Sequence, residues 1–224
     1  MPQRYKGNIG HVRKVKIKNS HRTMDVSVVE ASLSLLNTWH NHIQKPHINA
    51  DDSRLDSGWN WVKFYLGHYN VSKALKQKPK ILCIGTRVQS KFVPLGLVLV
   101  AQNYPAIHNN KEKSSFIWYL TTAHEDFLKI YLDDDDIPSL GKFCIDLGLT
   151  TSFLNLNEGN LGLHADPKGE DGLLDFYKKC NLLPLDVDAK LPKGRKLTGN
   201  DGRYFYLDKG SSLKVSQNLD TYRE

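Results

Sequence analysis

The chain has 224 residues, 40% hydrophobic and 25% charged, the proportions of an ordinary folded domain large enough to bury a substantial core. No apolar run approaches the roughly 18–20 residues that cross a bilayer, and the longest, 93–101, is broken by Pro94 and Gly96. Lys and Arg outnumber Asp and Glu by 31 to 24, and the resulting charge of +7 favours polyanionic company. No RNP, zinc-finger or helix-turn-helix pattern accompanies that charge, so nucleic acid is the less favoured partner. Cys83, Cys144 and Cys180 stand singly, without CxxC spacing, and read as reduced core residues of a cytoplasmic protein. The opening Met-Pro-Gln-Arg-Tyr-Lys-Gly lacks the apolar centre of a secretory signal.

The first element is basic: over 14–18, Lys alternates with Val15 and Ile17, predicting a half-buried edge strand with a basic outer face. Ser27-Val-Val-Glu30 has capping-box spacing and predicts a helix to about His42, with Val29, Leu33, Leu36 and Trp39 inward. A polar loop is expected over 46–54. Ser57-Gly58 then precedes a second helix carrying Trp61, Phe64, Tyr65 and His68. Strands are expected over 80–85, 92–101 and 116–123, the last rich in aromatic and β-branched residues, with an exposed loop over 103–113. After an irregular acidic segment, 124–136, a helix from Pro138 turns Leu140, Phe143, Cys144 and Leu147 inward. The run Asp133-Asp-Asp-Asp136 lacks the Asp-x-Asp-x-Asp-Gly spacing of a calcium loop and reads as a solvated face, with no metal implied.

A strand over 161–165 comes next, then the turn Asp166-Pro-Lys-Gly169 and a helix over 170–180. Its Leu173, Phe176, Tyr177 and Cys180 recur with helical spacing on one apolar face. A loop over 186–196 and turn chemistry over 198–202 lead to a strand at 203–207, and 212–216 is expected to add another. The polar ends, 1–10 and 217–224, are expected to fray from a single domain. The resulting order, β-α-α-β-β-β-α-β-α-β(-β), predicts an α/β fold, a mixed central sheet with helices on both faces.

That order, together with the strand–turn–helix unit of 159–180 and its late inward Tyr177, resembles the GNAT superfamily of acetyl-CoA-dependent N-acetyltransferases. The resemblance implies a GNAT-like (acyl-CoA N-acyltransferase) architecture in which strand 116–123 lies parallel to strand 161–165. It also implies acetyl-CoA as co-substrate, with its pantetheine arm along the backbone of Leu120, Thr121 and Thr122. The pyrophosphate is expected over the amides of Ser139, Leu140, Gly141 and Lys142, at the start of the following helix. There the chain reads Ile137-Pro-Ser-Leu-Gly-Lys142 and departs from the family's Arg/Gln-x-x-Gly-x-Gly/Ala loop. By the same resemblance Tyr177 sits beside the thioester sulfur, binds the cofactor there and protonates the leaving thiolate.

His164, at the end of its strand, and Glu125, just past strand 116–123, are candidate bases for the attacking amine. The superfamily's acceptor region corresponds here to the segment holding Asp56, Trp59 and Trp61, which suit a wall for an amine-bearing group. Structural roles are open to the same residues: a packed core Tyr, a backbone-bonded His, a Trp pair seating a helix on the sheet. The activity expected is transfer of an acetyl group to an unidentified amine, whether small molecule, peptide or protein. The altered phosphate loop and the charge of +7 leave one alternative, a non-catalytic GNAT-like module whose basic surface holds nucleic acid or a protein partner.

Overall fold

A computed structural model describes residues 12–18, 21–75, 79–133, 138–192 and 199–219. Its eight strands are β1 (Val12–Lys16), β2 (Thr23–Glu30), β3 (Pro79–Val88), β4 (Lys91–Pro105), β5 (Lys113–Thr122), β6 (Leu161–His164), β7 (Leu183–Pro184) and β8 (Tyr204–Leu207). They form one sheet in the order β1-β2-β3-β4-β5-β6-β8-β7. Neighbours are antiparallel except β5 and β6, the expected parallel pair. The helices are α1 (Leu33–Trp39), α2 (Trp61–Leu75), α3 (Glu125–Leu128), α4 (Gly141–Leu154), α5 (Asp171–Lys179) and α6 (Lys209–Asn218), and a π-helical segment, His40–Ile48, continues α1.

Residues 81–86 of β3 and 93–102 of β4 are buried without alternation, as strands covered on both faces must be. One face carries α4: a Cβ added at Gly148 would lie 2.7 Å from Ile117 Cδ1 and 2.9 Å from Leu161 Cδ1, so glycine lets the helix settle across β5 and β6. The opposite face carries α2, whose Phe64 stacks on Tyr119 with centroids 4.0 Å apart. The mixed α/β sheet with helices on both faces is therefore present.

Several local expectations are corrected. The segment 27–30 is strand, not helix: Val26 and Val28 are buried while Val29 is exposed, a period of two, and β2 is paired on both sides. The β-branched run suits a pleated surface better than a helix. The helix starts later, capped by the Ser32 hydroxyl, which accepts from the Leu35 amide. Part of the expected loop 46–54 is helical, with Pro46 inside the π-helical segment. The α2 start is capped by Asn60, whose side chain accepts from the Lys63 amide at 3.0 Å. The loop 103–113 is shortened by β4, which runs to Pro105, and Ala106 and Ile107 are buried. Helix α4 begins at Gly141, because Pro138 bridges to Ile17 instead.

The segment 212–216 is helical, not extended. Asp208 accepts from the Ser211 amide and Ser211 answers the Asp208 amide, a capping box that starts α6 and carries it through Gln217 and Asn218. Lys14 and Lys16 of β1, and Lys18 just past it, are exposed as expected, but Arg13 points inward at 2% exposure. Its Nη1 lies 3.1 Å from Asp146 Oδ2 and its Nη2 3.3 Å from Thr150 Oγ1, tying the edge strand to α4. Residues 1–10 and most of the run Asp133–Asp136 lie outside the described residues. Cys83, Cys144 and Cys180 are free and buried. Among the described residues no helix is long and apolar enough to cross a membrane.

Candidate functional site

The site arises from a mismatch between two neighbours of β5. On one side β5 follows β4, with Leu99 opposite Tyr119 and Val100 opposite Ile117, so Trp118 is the extra residue of a bulge. On the other side its parallel pairing with β6 covers Ser115, Phe116 and Ile117, and ends there. From Trp118 onward β5 leaves β6, and a cavity of about 470 Å³ occupies the divergence. It is lined from β5 by residues 116–122, from β6 by Leu163 and His164, from α5 by Leu173 and Tyr177, and from the segment before α2 by 53–56 and Trp59.

The bulge also decides which side chains face which helix. Trp118 and Tyr119 both turn toward α2: His68 lies 5.7 Å from the Trp118 ring and 6.1 Å from that of Tyr119. Trp59 meets Tyr119 edge-on at 5.0 Å. Tyr177 approaches from the α4 side, packing on Phe205 at 5.5 Å. His164, one residue past the Leu163–Phe205 pair, faces the other way and stacks on Tyr204 at 4.2 Å. The cavity thus passes between the strands and is reached by Tyr177 from one face of the sheet and by His164 from the other.

Tyr177 is 5% exposed, and among the described residues its hydroxyl has no hydrogen-bond partner. Burial, then the nearby Cys144, Cys180 and Asp166, push its phenol well above the ordinary tyrosine range. Tyr119 is raised by burial and by Asp166, and Tyr204 is pushed up to about 12 by burial, Asp201 and Tyr104. These phenols remain proton donors at any physiological pH. His164 Nε2 lies 3.0 Å from Asp201 Oδ2 and 3.1 Å from Oδ1.

The remaining expected site residues divide between the cavity and its surroundings. Leu120, Thr121 and Thr122 line the cavity, but Thr121 Oγ1 donates to Asp56 Oδ2, and the Thr122 carbonyl accepts from Arg54 Nη2 at 2.8 Å. Asp56 lines the cavity at 6% exposure with its carboxylate held by Arg54 through Nε at 2.8 Å and Nη2 at 2.7 Å, so it is already paired. Trp59 lines the cavity. Trp61 does not; it is fully buried, and its Nε1 has no hydrogen-bond partner among the described residues. Glu125 lies outside the lining, in an exposed pair with Lys18 Nζ at 2.5 Å; hydrogen bonding to Lys18 and its charge hold that carboxyl below the usual range.

Ser139, Leu140, Gly141 and Lys142 also lie outside the lining. The Ser139 amide donates to the Lys16 carbonyl at 2.7 Å. Gly141 is needed for packing, since a Cβ there would lie 2.8 Å from Phe176 Cζ. The helix start nevertheless approaches the far end of β5: a Cβ at Gly96 would meet both Thr121 O at 2.9 Å and Leu140 Cδ1 at 3.8 Å. The N-cap residue Leu140 gives the first turn of α4 no side-chain hydrogen bond, which suits the remaining amides to an anion.

The sequence reading missed Arg54, Asp201 and Arg203. Arg203 holds the turn after β6, donating to the carbonyls of Ala165, Asp166 (2.9 Å) and Gly169. Asp201 sits in what reads as plain Asn-Asp-Gly turn chemistry and Arg203 opens the strand expected to follow, and nothing local connects Asp201 to His164, 37 positions earlier. Arg54 had a legible signal, the Arg-x-Asp spacing of a side-chain fork.

No protein-family model matches the sequence, and no curated protein matches it. Solved structures do resemble it. One is a spermidine N-acetyltransferase from Vibrio cholerae in complex with CoA and spermine, 13% identical, covering 84% of this chain and 98% of its own, with a TM-score of 0.46. A second is an uncharacterized protein from Bacillus halodurans, 11% identical, covering 88% and 92%, with a TM-score of 0.49. A third is a point mutant of the AtaT toxin bound to acetyl-CoA and to the C-terminus of the antitoxin AtaR, 12% identical, covering 88% and 99%, at a TM-score of 0.42.

Proposed function

We propose that the chain is an acyl-CoA-dependent N-acetyltransferase that moves an acetyl group from acetyl-CoA to an amine. The observation that carries this reading is the cavity between β5 and β6, with Tyr177 and His164 reaching it from opposite faces of the sheet. An acyl thioester bound there supplies the acyl group. Strand β5 past the bulge offers a backbone edge that β6 no longer occupies, next to Leu120, Thr121 and Thr122. Leu140, Gly141 and Lys142, with the Lys142 cation, are the groups to hold the phosphates; the Ser139 amide is engaged by Lys16 and is not among them.

The amine nitrogen attacks the acyl carbon, forming the C–N bond as the C–S bond breaks. His164 takes the proton from the amine, and Tyr177, raised and therefore protonated, gives its proton to the departing sulfur. Trp59, Tyr119 and Asp166 wall the acceptor side. The free, buried Cys83, Cys144 and Cys180 support a cytoplasmic setting. Titration calorimetry with acetyl-CoA tests the reading. A micromolar Kd, about −8 kcal/mol, is expected, followed by thiol release on adding an amine panel. Absence of binding at millimolar acetyl-CoA rejects the enzyme in favour of a binding module on the same scaffold.

A further inference from the structure

We propose that Asp201 is a positioning residue that fixes the tautomer of His164, leaving Nδ1 as the proton acceptor at the cavity. The catalytic half of this inference rests on the acetyltransferase reading; the tautomer half does not. Both Asp201 oxygens lie within hydrogen-bond reach of His164 Nε2, at 3.0 and 3.1 Å. A carboxylate can only accept, so the pair requires the hydrogen on Nε2. A neutral imidazole carries one N–H, which leaves the lone pair on Nδ1. Among the described residues Nδ1 has no hydrogen-bond partner, and His164 lines the cavity.

The carboxylate is itself fixed. The Arg203 amide donates to Asp201 Oδ1 at 3.0 Å, and Arg203 in turn grips the carbonyls of the turn after β6. Burial opposes the charge on Asp201, but the hydrogen bonds from His164 and the Arg203 amide outweigh it and hold the carboxyl below its usual range. The ring plane is set by stacking on Tyr204. Second-residue orientation of this kind is how a carboxylate makes a histidine an effective base in acyl transfer. A merely half-exposed ion pair would contribute at most about 1 kcal/mol and tolerate substitution without consequence for rate.

The test combines spectroscopy and kinetics. Long-range ¹H–¹⁵N spectra of protein with ¹⁵N-labelled histidine, recorded about two pH units above the ordinary histidine value of ~6.5, report the neutral tautomer. The His164 signals are assigned by their disappearance in His164→Gln. The Nε2–H form is expected in the native protein, and a shift toward mixed tautomers in Asp201→Asn, whose amide can donate as well as accept. In turnover, Asp201→Asn is expected to lower kcat about tenfold or more with the KM for the amine unchanged, and Asp201→Glu to restore part of it. An Nδ1–H form in the native protein, unchanged spectra in Asp201→Asn, or a kcat insensitive to Asp201→Asn overturns the proposal. If the native protein acetylates no amine, the enzyme reading falls, and the spectra still decide whether Asp201 positions His164.

Discussion

Replacing Tyr177 by Phe removes a single oxygen from a side chain that is 5% exposed. The ring keeps its contacts with Phe176 at 5.4 Å and Phe205 at 5.5 Å, so no cavity larger than a hydroxyl is opened. Because that hydroxyl has no partner among the described residues, its loss also forfeits no hydrogen bond there. Stability is therefore expected to stay within about 1 kcal/mol of the native protein, on the favourable side if anything. Turnover is a separate matter. A positioned acid supplies ~10²–10⁴-fold in rate, so kcat should fall by at least about tenfold, equivalent to ~1.4 kcal/mol of barrier.

The assay follows thiol release at saturating acetyl-CoA, with calorimetric affinity for acetyl-CoA and a urea midpoint measured on the same preparation. Burial, with Cys144, Cys180 and Asp166, raises the Tyr177 phenol, so the acid form persists as pH climbs and the native rate should show no alkaline loss from this group up to about pH 10. Native kcat in Tyr177→Phe would show the assigned acid to be dispensable. Catalysis would then rest on holding amine and thioester together.

Three further outcomes are expected from the scaffold. Arg13→Met leaves the fully buried Asp146 without its cation and should cost about 3–5 kcal/mol in urea unfolding, while Arg13→Met combined with Asp146→Leu should recover most of that; equal losses in both variants would refute the explanation. Asp208→Asn keeps a capping oxygen but removes the negative charge at the start of α6, and should cost about 0.5 kcal/mol at neutral pH. Hydrogen bonds from the Ser211 amide and hydroxyl depress the folded Asp208 below an unfolded value of ~3.9, so its contribution is present above that value and is lost as pH falls through the folded one; a gap between native and variant that persists undiminished at pH 2 would contradict this. Gly141→Ala drives a methyl toward the Phe176 ring and should destabilise by about 1–3 kcal/mol, with relief on adding Phe176→Leu; additivity of the two would show that no clash exists.

The parts of this fold most legible in the sequence were those in which local pattern and tertiary demand coincide. Helix α5 has its inward face written at helical spacing, and β5 is a continuous β-forming run because it is buried at the centre of the sheet. The segment 27–30 misled because Ser-x-x-Glu spacing is short-range information, whereas pairing of Val26 and Val28 with strands on both sides is not. The segment 212–216 misled because its helix is started by Asp208, upstream of the apolar residues that suggested a strand. Nothing in the sequence around Arg13 marks it for the interior, because its partner, Asp146, lies 133 positions away. Tyr177 and His164 line the same cavity because one strand–turn–helix unit carries both. Glu125 was offered as a base on sequence proximity alone, and Lys18 claims it. Asp201 belongs to a distant turn and acquires meaning only once β8 pairs beside β6.

The parallel seam between β5 and β6 has a mechanical consequence. Three residue pairs, beginning at Ser115–Leu161 and ending at Ile117–Leu163, join the β6–β8–β7 part of the sheet to the rest. Helix α4 lies across that seam like a splint, touching Ile117 on one side and Leu161 on the other through the space left at Gly148, and meeting α5 at Gly141. It contributes no side chain to the cavity lining. The angle of the wedge is therefore gauged from behind, by the thickness of a helix whose middle turns lie outside the cavity lining. Enlarging residue 148 by one or two carbons would jack the seam apart, making that position a dial for what the opening admits while every lining residue stays the same.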